Sequence, residues 1–254
     1  IGTGLVGSEM CIRDSDKVKA FICTQDLKDE DYINSHYVIM ATKMGQVKKT
    51  SLEQYSRPRS NGINAITIKD NDELLEAKLT NGSSQIMLAV KSGKAIRFEE
   101  SKTRPMGRNA SGVRGIRLKD KSDEVIGMVS VKDMDENILV VSENGYGKRS
   151  SLEDYRLTNR GGKGVKTISI TEKTGKLVTI KSVSDNDDLM IINKSGIAIR
   201  MQVEDLRVMG RATQGVKAIS IKEGDSIAAV AKVMKDEDDI EDIEDIEFEG
   251  DTVK

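Results

Sequence analysis

YVIMATKMGQVKK (37–49) is an apolar run, a turn that ends in glycine, and a second run closed by two lysines. This is the order of a β-hairpin: aliphatic and β-branched residues flank a tight turn whose last residue must supply a positive φ. The order returns three times. IMLAV precedes Gly93, ILVVS precedes Gly145 and LMIIN precedes Gly196, so that the turn glycines, counted from Gly45, are spaced by 48, 52 and 51 residues. Four residues after each glycine stands a cation: Lys49, Arg97, Arg149 and Arg200.

The segment after each hairpin repeats as well. A polar connector comes first, seen as SLEQYSR (51–57), SLEDYR (151–156) and QVEDLR (202–207). A basic, glycine-containing loop comes next: RPRSNG (57–62), MGRNASG (106–112), TNRGGKG (158–164) and MGRATQG (209–215), with final glycines Gly62, Gly112, Gly164 and Gly215 spaced by 50, 52 and 51. Each loop leads into an alternating segment (INAITI, VRGIRL, VKTISI, VKAISI), whose period of two predicts a strand with one buried and one wet face. A last strand closes the unit: ELLEAKLT, EVIGMVSV, LVTIKSV or SIAAVAKV. Four strands recurring about every 50 residues predict an all-β, propeller-like pinwheel, because one blade cannot bury its faces alone and stacked blades can. The repeats are placed at about 37–81, 86–133, 138–185 and 189–235 of a body spanning 16–235. DKVKAFICT (16–24) reads as the last strand of a preceding blade. Residues 1–15 match no part of the repeat; VGSEMCIRDS resembles a translated sequencing adapter and is excluded from fold reasoning. Residues 236–254, the acidic tail, are expected to be disordered.

Charge divides the chain. Lys235–Lys254 holds 11 acids and 2 lysines, a net of −9, while the rest carries 38 basic and 31 acidic groups, a net of +7. No apolar run reaches a membrane-spanning length. Cys11 and Cys23 lack metal-ligand spacing and His36 has no metal or triad partner in the pattern, so neither metal nor catalytic residues are expected. Gly161–Thr167 departs from a nucleotide-binding loop because Val165 breaks the required Gly-Lys-Ser/Thr order. The informative feature is the basic loop. Four positions before its last glycine lie Arg108, Arg160 and Arg211, with Arg57 and Arg59 flanking Pro58 in the first repeat; two positions after it lie Asn64, Arg114, Lys166 and Lys217. With Lys48, Lys49, Arg97, Arg104, Lys148, Arg149, Arg156, Lys163, Arg200 and Arg207, these cations form a cluster in every blade. Regularly spaced phosphates of duplex DNA suit such an array, and Gly62, Gly112, Gly161, Gly162, Gly164 and Gly215 would let backbone N–H groups approach phosphate oxygens. Aromatics beside the loops are few, which favours duplex backbone contact over stacking on single strands.

MGRNASGVRGIRL, NGYGKRSSLEDY and VMGRATQGVKAI, together with YVIMATKMGQVKKTSLEQYSRPR, resemble the C-terminal domain of bacterial DNA gyrase A subunits, a type IIA DNA topoisomerase family, from about Asp16 to Lys235. The resemblance implies a β-pinwheel that wraps duplex DNA around a basic rim and supports ATP-dependent negative supercoiling by the whole enzyme. It implies as partners the B subunit together with the rest of the A subunit, in a heterotetramer of two of each. The B subunit would use ATP and Mg2+ and this segment would use no cofactor, in a bacterial cytoplasm at the nucleoid. In the family a Gln-Arg-Arg-Gly-Gly-Lys-Gly loop marks the first blade, and Arg160–Gly164 repeats its core. Two other readings stay open on the residues: the related topoisomerase IV domain, and a propeller-like protein-interaction scaffold.

Overall fold

The computed structural model describes residues 18–131, 133–222 and 224–234. One short helix, α1 (Glu30–Ser35), is capped by the Asp29 carboxylate, which accepts from the N–H groups of Asp31 and Tyr32. The rest of the regular structure is strand with single 3-10 turns. In chain order the strands are β1 (Tyr37–Thr42), β2 (Gln46–Ser51), β3 (Leu74–Thr80), β4 (Gln85–Val90), β5 (Lys94–Glu99), β6 (Val113–Arg114), β7 (Val125–Val131), β8 (Asn137–Ser142), β9 (Tyr146–Ser151), β10 (Val165–Lys166), β11 (Leu177–Val183), β12 (Asp187–Asn193), β13 (Ala198–Gln202), β14 (Val216–Lys217) and β15 (Ile227–Met234).

The hairpins form where the apolar runs and turn glycines predict them. β1 pairs β2 from Tyr37↔Ser51 to Ala41↔Val47, and the last strand of the repeat, β3, lies along the other side of β1. The turn glycines Gly45, Gly93, Gly145 and Gly196 take φ of +78 to +87°. Strands β1, β4 and β8 are buried on both faces, which is why they read as unbroken apolar runs rather than alternating ones.

The sheets run β3-β1-β2-β6, β10-β5-β4-β7, β11-β8-β9-β14 and β13-β12-β15. This corrects the expectation that one repeat makes one blade. The fourth strand of each complete sheet is taken from the loop of the following repeat, so repeat and sheet are offset by one strand. The alternating segments also contribute two residues of strand each, rather than six. In the first repeat, residues 63–68 form no strand. The fourth sheet has three strands among the described residues, and Ala198, Ile199 and Arg200 of β13 are exposed where their counterparts in β2, β5 and β9 are buried. Residues 18–24, expected as part of a closing strand, take no strand geometry. Ala20 and Ile22 still pack against Val38, Met40 and Ala77. Residues 1–15 and the acidic tail lie outside the described residues.

The chain divides into two compact units. The first takes the described residues up to Val131 with Tyr155–Val165; the second takes Asp133–Asp154 with the described residues from Lys166. In the first unit Ile39, Val47, Ile86, Leu88, Phe98, Ile116 and Met128 form one apolar cluster. In the second, Leu139, Val141, Leu189, Ile191, Leu206 and Ile227 do the same. Each fully buried aliphatic side chain stabilises its unit by roughly 1.5–3 kcal/mol.

Candidate nucleic-acid interface

The basic loops are held by backbone. A short 3-10 turn follows each of the first three hairpins, and the loops after the second, third and fourth hairpins reach the hairpin of the preceding repeat. There the N–H of Met106 donates to Lys49 O (2.8 Å), that of Thr158 to Arg97 O (2.9 Å) and that of Met209 to Arg149 O (2.8 Å). Each loop then turns and enters its two-residue strand, with Gln46↔Arg114 and Val47↔Val113 in one case and Tyr146↔Lys217 and Gly147↔Val216 in another. In the three docked loops the final glycine (Gly112, Gly164 or Gly215) sits where no side chain fits. Gly164 has φ +70°, and a Cβ there would stand 2.6 Å from Ala95 O. A further contact joins successive loops. The N–H of Thr67 donates to Ala110 O, that of Arg117 to Gly162 O and that of Ser169 to Thr213 O.

Five of the 18 cations assigned to phosphate binding are corrected by this geometry, because their side chains are inside. Lys49 is buried and salt-bridged at 2.9 Å to the buried Glu100, with the Tyr37 ring 4.1 Å away. Arg97 donates from Nε to Gln85 Oε1 (2.6 Å) and from Nη1 to Tyr155 O (3.0 Å). Arg149 donates to Leu206 O (2.5 Å) and Glu204 O (3.3 Å) and pairs with Asp185. These cations lock a hairpin to a connector. Their side chains leave the surface because the strands that carry them are covered on both faces. Lys48 and Lys148 have no exposed surface. Lys48 Nζ donates to Ala65 O (2.6 Å) and to Arg108 O, and Lys148 Nζ donates to Gly210 O (2.7 Å) and Thr213 Oγ1 (3.1 Å). Burial pulls both ammonium groups down to about 8; the Arg108 charge adds to this at Lys48. At Lys148, Asp154 opposes the shift and Arg211 and Lys166 add to it.

The remaining cations are at the surface. Arg57, Arg59, Arg104, Arg114, Arg156, Lys163, Lys166, Arg200, Arg207 and Lys217 are exposed, although Arg200 also pairs with Asp188 at 2.7 Å. Arg108, Arg160 and Arg211 are half-buried. Two of these are staples. Arg160 donates from Nε to Lys102 O (3.0 Å) and from Nη1 to Arg114 O (3.1 Å); Arg211 donates from Nε to Asp154 O and from Nη1 to Lys166 O, both at 2.9 Å. The positions two beyond the loop glycine (Asn64, Arg114, Lys166 and Lys217) are exposed in all four repeats. Around the first loop, Arg59, Asn61, Gly62, Ile63, Asn64, Arg108 and Asn109 line an open polar recess. Arg117 and Lys102, both exposed beside these loops, were missed in the sequence. Burial of Gly115 and Ile116 turns Arg117 outward, a signal present in VRGIRL as two small or apolar residues between two arginines.

The other candidates resolve simply. His36 Nδ1 lies 2.9 Å from Tyr32 O at the end of α1. The Gly161–Thr167 segment feeds β10 and no helix follows it among the described residues. No helix of the described residues is long and apolar enough to cross a membrane.

Comparison with known proteins places this arrangement. The profile of the DNA gyrase C-terminal domain, beta-propeller, matches residues 36–81, 85–132, 136–184 and 187–234. The DNA gyrase A subunit of Staphylococcus epidermidis (strain ATCC 12228 / FDA PCI 1200) is 42% identical over 223 residues, which cover 87% of this chain and 24% of that protein. Its counterpart in Staphylococcus aureus (strain NCTC 8325 / PS 47) is also 42% identical, over 87% of this chain and 25% of its own length. The chain thus spans about a quarter of these relatives. A crystal structure of the C-terminal domain of DNA topoisomerase IV shares the fold at a TM-score of 0.75 and 24% identity, covering 85% of this chain and 68% of that one. A DNA gyrase A C-terminal domain structure matches at 0.71 and 25% identity, covering 79% and 67%.

Proposed function

Since the chain belongs to the DNA gyrase C-terminal domain family, we propose that it is a duplex-DNA-wrapping module acting within a gyrase A subunit. The observation that carries this is the recurrence of exposed cations at fixed places on loops whose backbone is stapled from beneath. Rigid presentation matters because phosphates on a duplex are fixed in spacing, so a cation held in place loses little freedom on binding. The single helix among the described residues, Glu30–Ser35, carries no cation, which suits contact with the backbone over base readout by a recognition helix.

The whole enzyme's work follows from the same reading. Two such A subunits joined to two B subunits would use the wrap to present one DNA segment to another, with ATP and Mg2+ on the B subunit driving negative supercoiling. The chain would then work in the bacterial cytoplasm, at the nucleoid.

Salt titration of duplex binding tests the proposal. Log affinity falls linearly with log salt, by about 0.9 per phosphate neutralised, and random and genomic duplexes bind alike. Replacing Arg114, Lys166 and Lys217 with Ala lowers that slope by up to about three and leaves the melting temperature unchanged, since none of these side chains holds the fold. A flat salt response removes the DNA reading and leaves the interaction-scaffold reading in its place.

A further inference from the structure

The three loops dock on three hairpins through the same backbone bonds, yet they do so in two shapes. MGRNASG and MGRATQG close with a turn in which the N–H of Ala110 donates to Gly107 O and that of Thr213 to Gly210 O. TNRGGKG instead places Gly161 at φ +81°, a region that the equivalent residues Asn109 and Ala212 do not enter. The hairpin residue beneath the loop differs in step with the shape. Under the two Met-Gly-Arg loops it is Lys48 or Lys148, whose ammonium group donates to Arg108 O in one and to Gly210 O and Thr213 Oγ1 in the other. Under the Gly-Gly-Lys loop it is Ile96, whose Cδ1 would lie 3.4 Å from a Cβ on Gly162.

We propose that this residue, one before the buried hairpin cation, is a specificity-determining residue that decides which loop shape a hairpin accepts. The physical basis is mutual exclusion. The Met-Gly-Arg turn points carbonyl oxygens down at the hairpin, and an isoleucine there offers them no donor. The Gly-Gly form lays a side-chain-free segment over Ile96, and an ammonium group put there would have to be desolvated beneath a loop of a different shape from the one that accepts from Lys48 or Lys148. Among the described residues the three docked loops show both matched pairings, Lys with Met-Gly-Arg and Ile with Gly-Gly-Lys, and neither mismatched one. The inference concerns blade assembly and stands apart from whether the rim binds DNA.

Exchange in the full chain tests it. One variant is K148I; a second replaces Met209–Gln214 with the sequence of Thr158–Lys163; a third combines them. The readouts are the melting temperature and the hydrogen-exchange protection of the Met209 and Ala218 amides, which donate to Arg149 O and Gly145 O. Each mismatched variant melts about 4–8 °C lower with weakened protection, and the combined variant returns to within about 2 °C of the parent. The reciprocal exchange, I96K with Thr158–Lys163 replaced by the sequence of Met209–Gln214, behaves alike. A loop-swapped chain that fails to fold is read the same way: recovery of folded chain on adding K148I supports the pairing, and no recovery overturns it. Simple addition of the two single effects, or a K148I chain with unchanged melting and protection, also overturns it.

Discussion

Lys148 lies wholly inside its unit, donates to Gly210 O and Thr213 Oγ1, and has its ammonium group drawn down to about 8 chiefly by burial. In the unfolded chain a lysine titrates near 10.4. Between these values the unfolded state binds the extra proton, so stability rises with pH across that window. The same sign holds for Lys48, also drawn down to about 8 by burial and then by Arg108. Urea unfolding from pH 7.5 to 9.5 therefore shows the parent gaining stability relative to a K48M/K148M chain; parallel pH profiles would rule this out. Arg160 and Arg211 make the complementary case. Each holds two carbonyl oxygens, so an R160A/R211A chain loses loop protection as well as DNA affinity, whereas the exposed triple variant keeps its loop protection. These roles set the limit of sequence reading at this scale. The recurrence of a cation four residues after each turn glycine was plain, but recurrence alone does not say which way a side chain faces. Lys49, Arg97 and Arg149 read as surface groups because the cover over them comes from elsewhere in the chain.

At the scale of elements, the hairpins were legible because their apolar runs and turn glycines are local signals. The short strands β6, β10 and β14 were not, because two residues carry no period and their partners belong to the preceding repeat. The loop glycines tell the two situations apart. Gly62 and Gly164 share a positive φ, but nothing lies within 4 Å of a Cβ at Gly62, whereas one at Gly164 meets Ala95 O at 2.6 Å. Gly62→Ala therefore costs about 1–2 kcal/mol from backbone strain alone. Gly164→Ala costs clearly more, about 2–4 kcal/mol, because the strand must also move off its hairpin. Equal destabilisation of the two in chemical denaturation would mean that the close approach at Gly164 is unimportant. In the core, Leu139→Ala removes a fully buried side chain from a strand covered on both faces and costs about 2–5 kcal/mol.

At the scale of the whole molecule, charge is divided along the chain. A body of net +7 is joined to a tail of net −9. If the rim binds phosphates as proposed, tail carboxylates within about 10 Å of it at 0.1 M salt would compete for the same cations. Removing residues 236–254 should raise duplex affinity most at low salt, with the gain shrinking as salt rises; an unchanged affinity at low salt would make the tail a passive solubilising segment. The offset between repeat and sheet reaches further, into how such an array can change over generations. The second and third repeats, each of about 50 residues, carry one acceptor hairpin and one donor strand, and the donor serves the predecessor. A tandem duplication copies both together, so the inserted unit lends a strand backward and receives one forward, and no new raw edge opens inside the array. A gene coding for this arrangement can lengthen or shorten by whole units while each surviving sheet stays complete. A break inside a unit, between its hairpin and its loop, would strip a neighbour as well as itself.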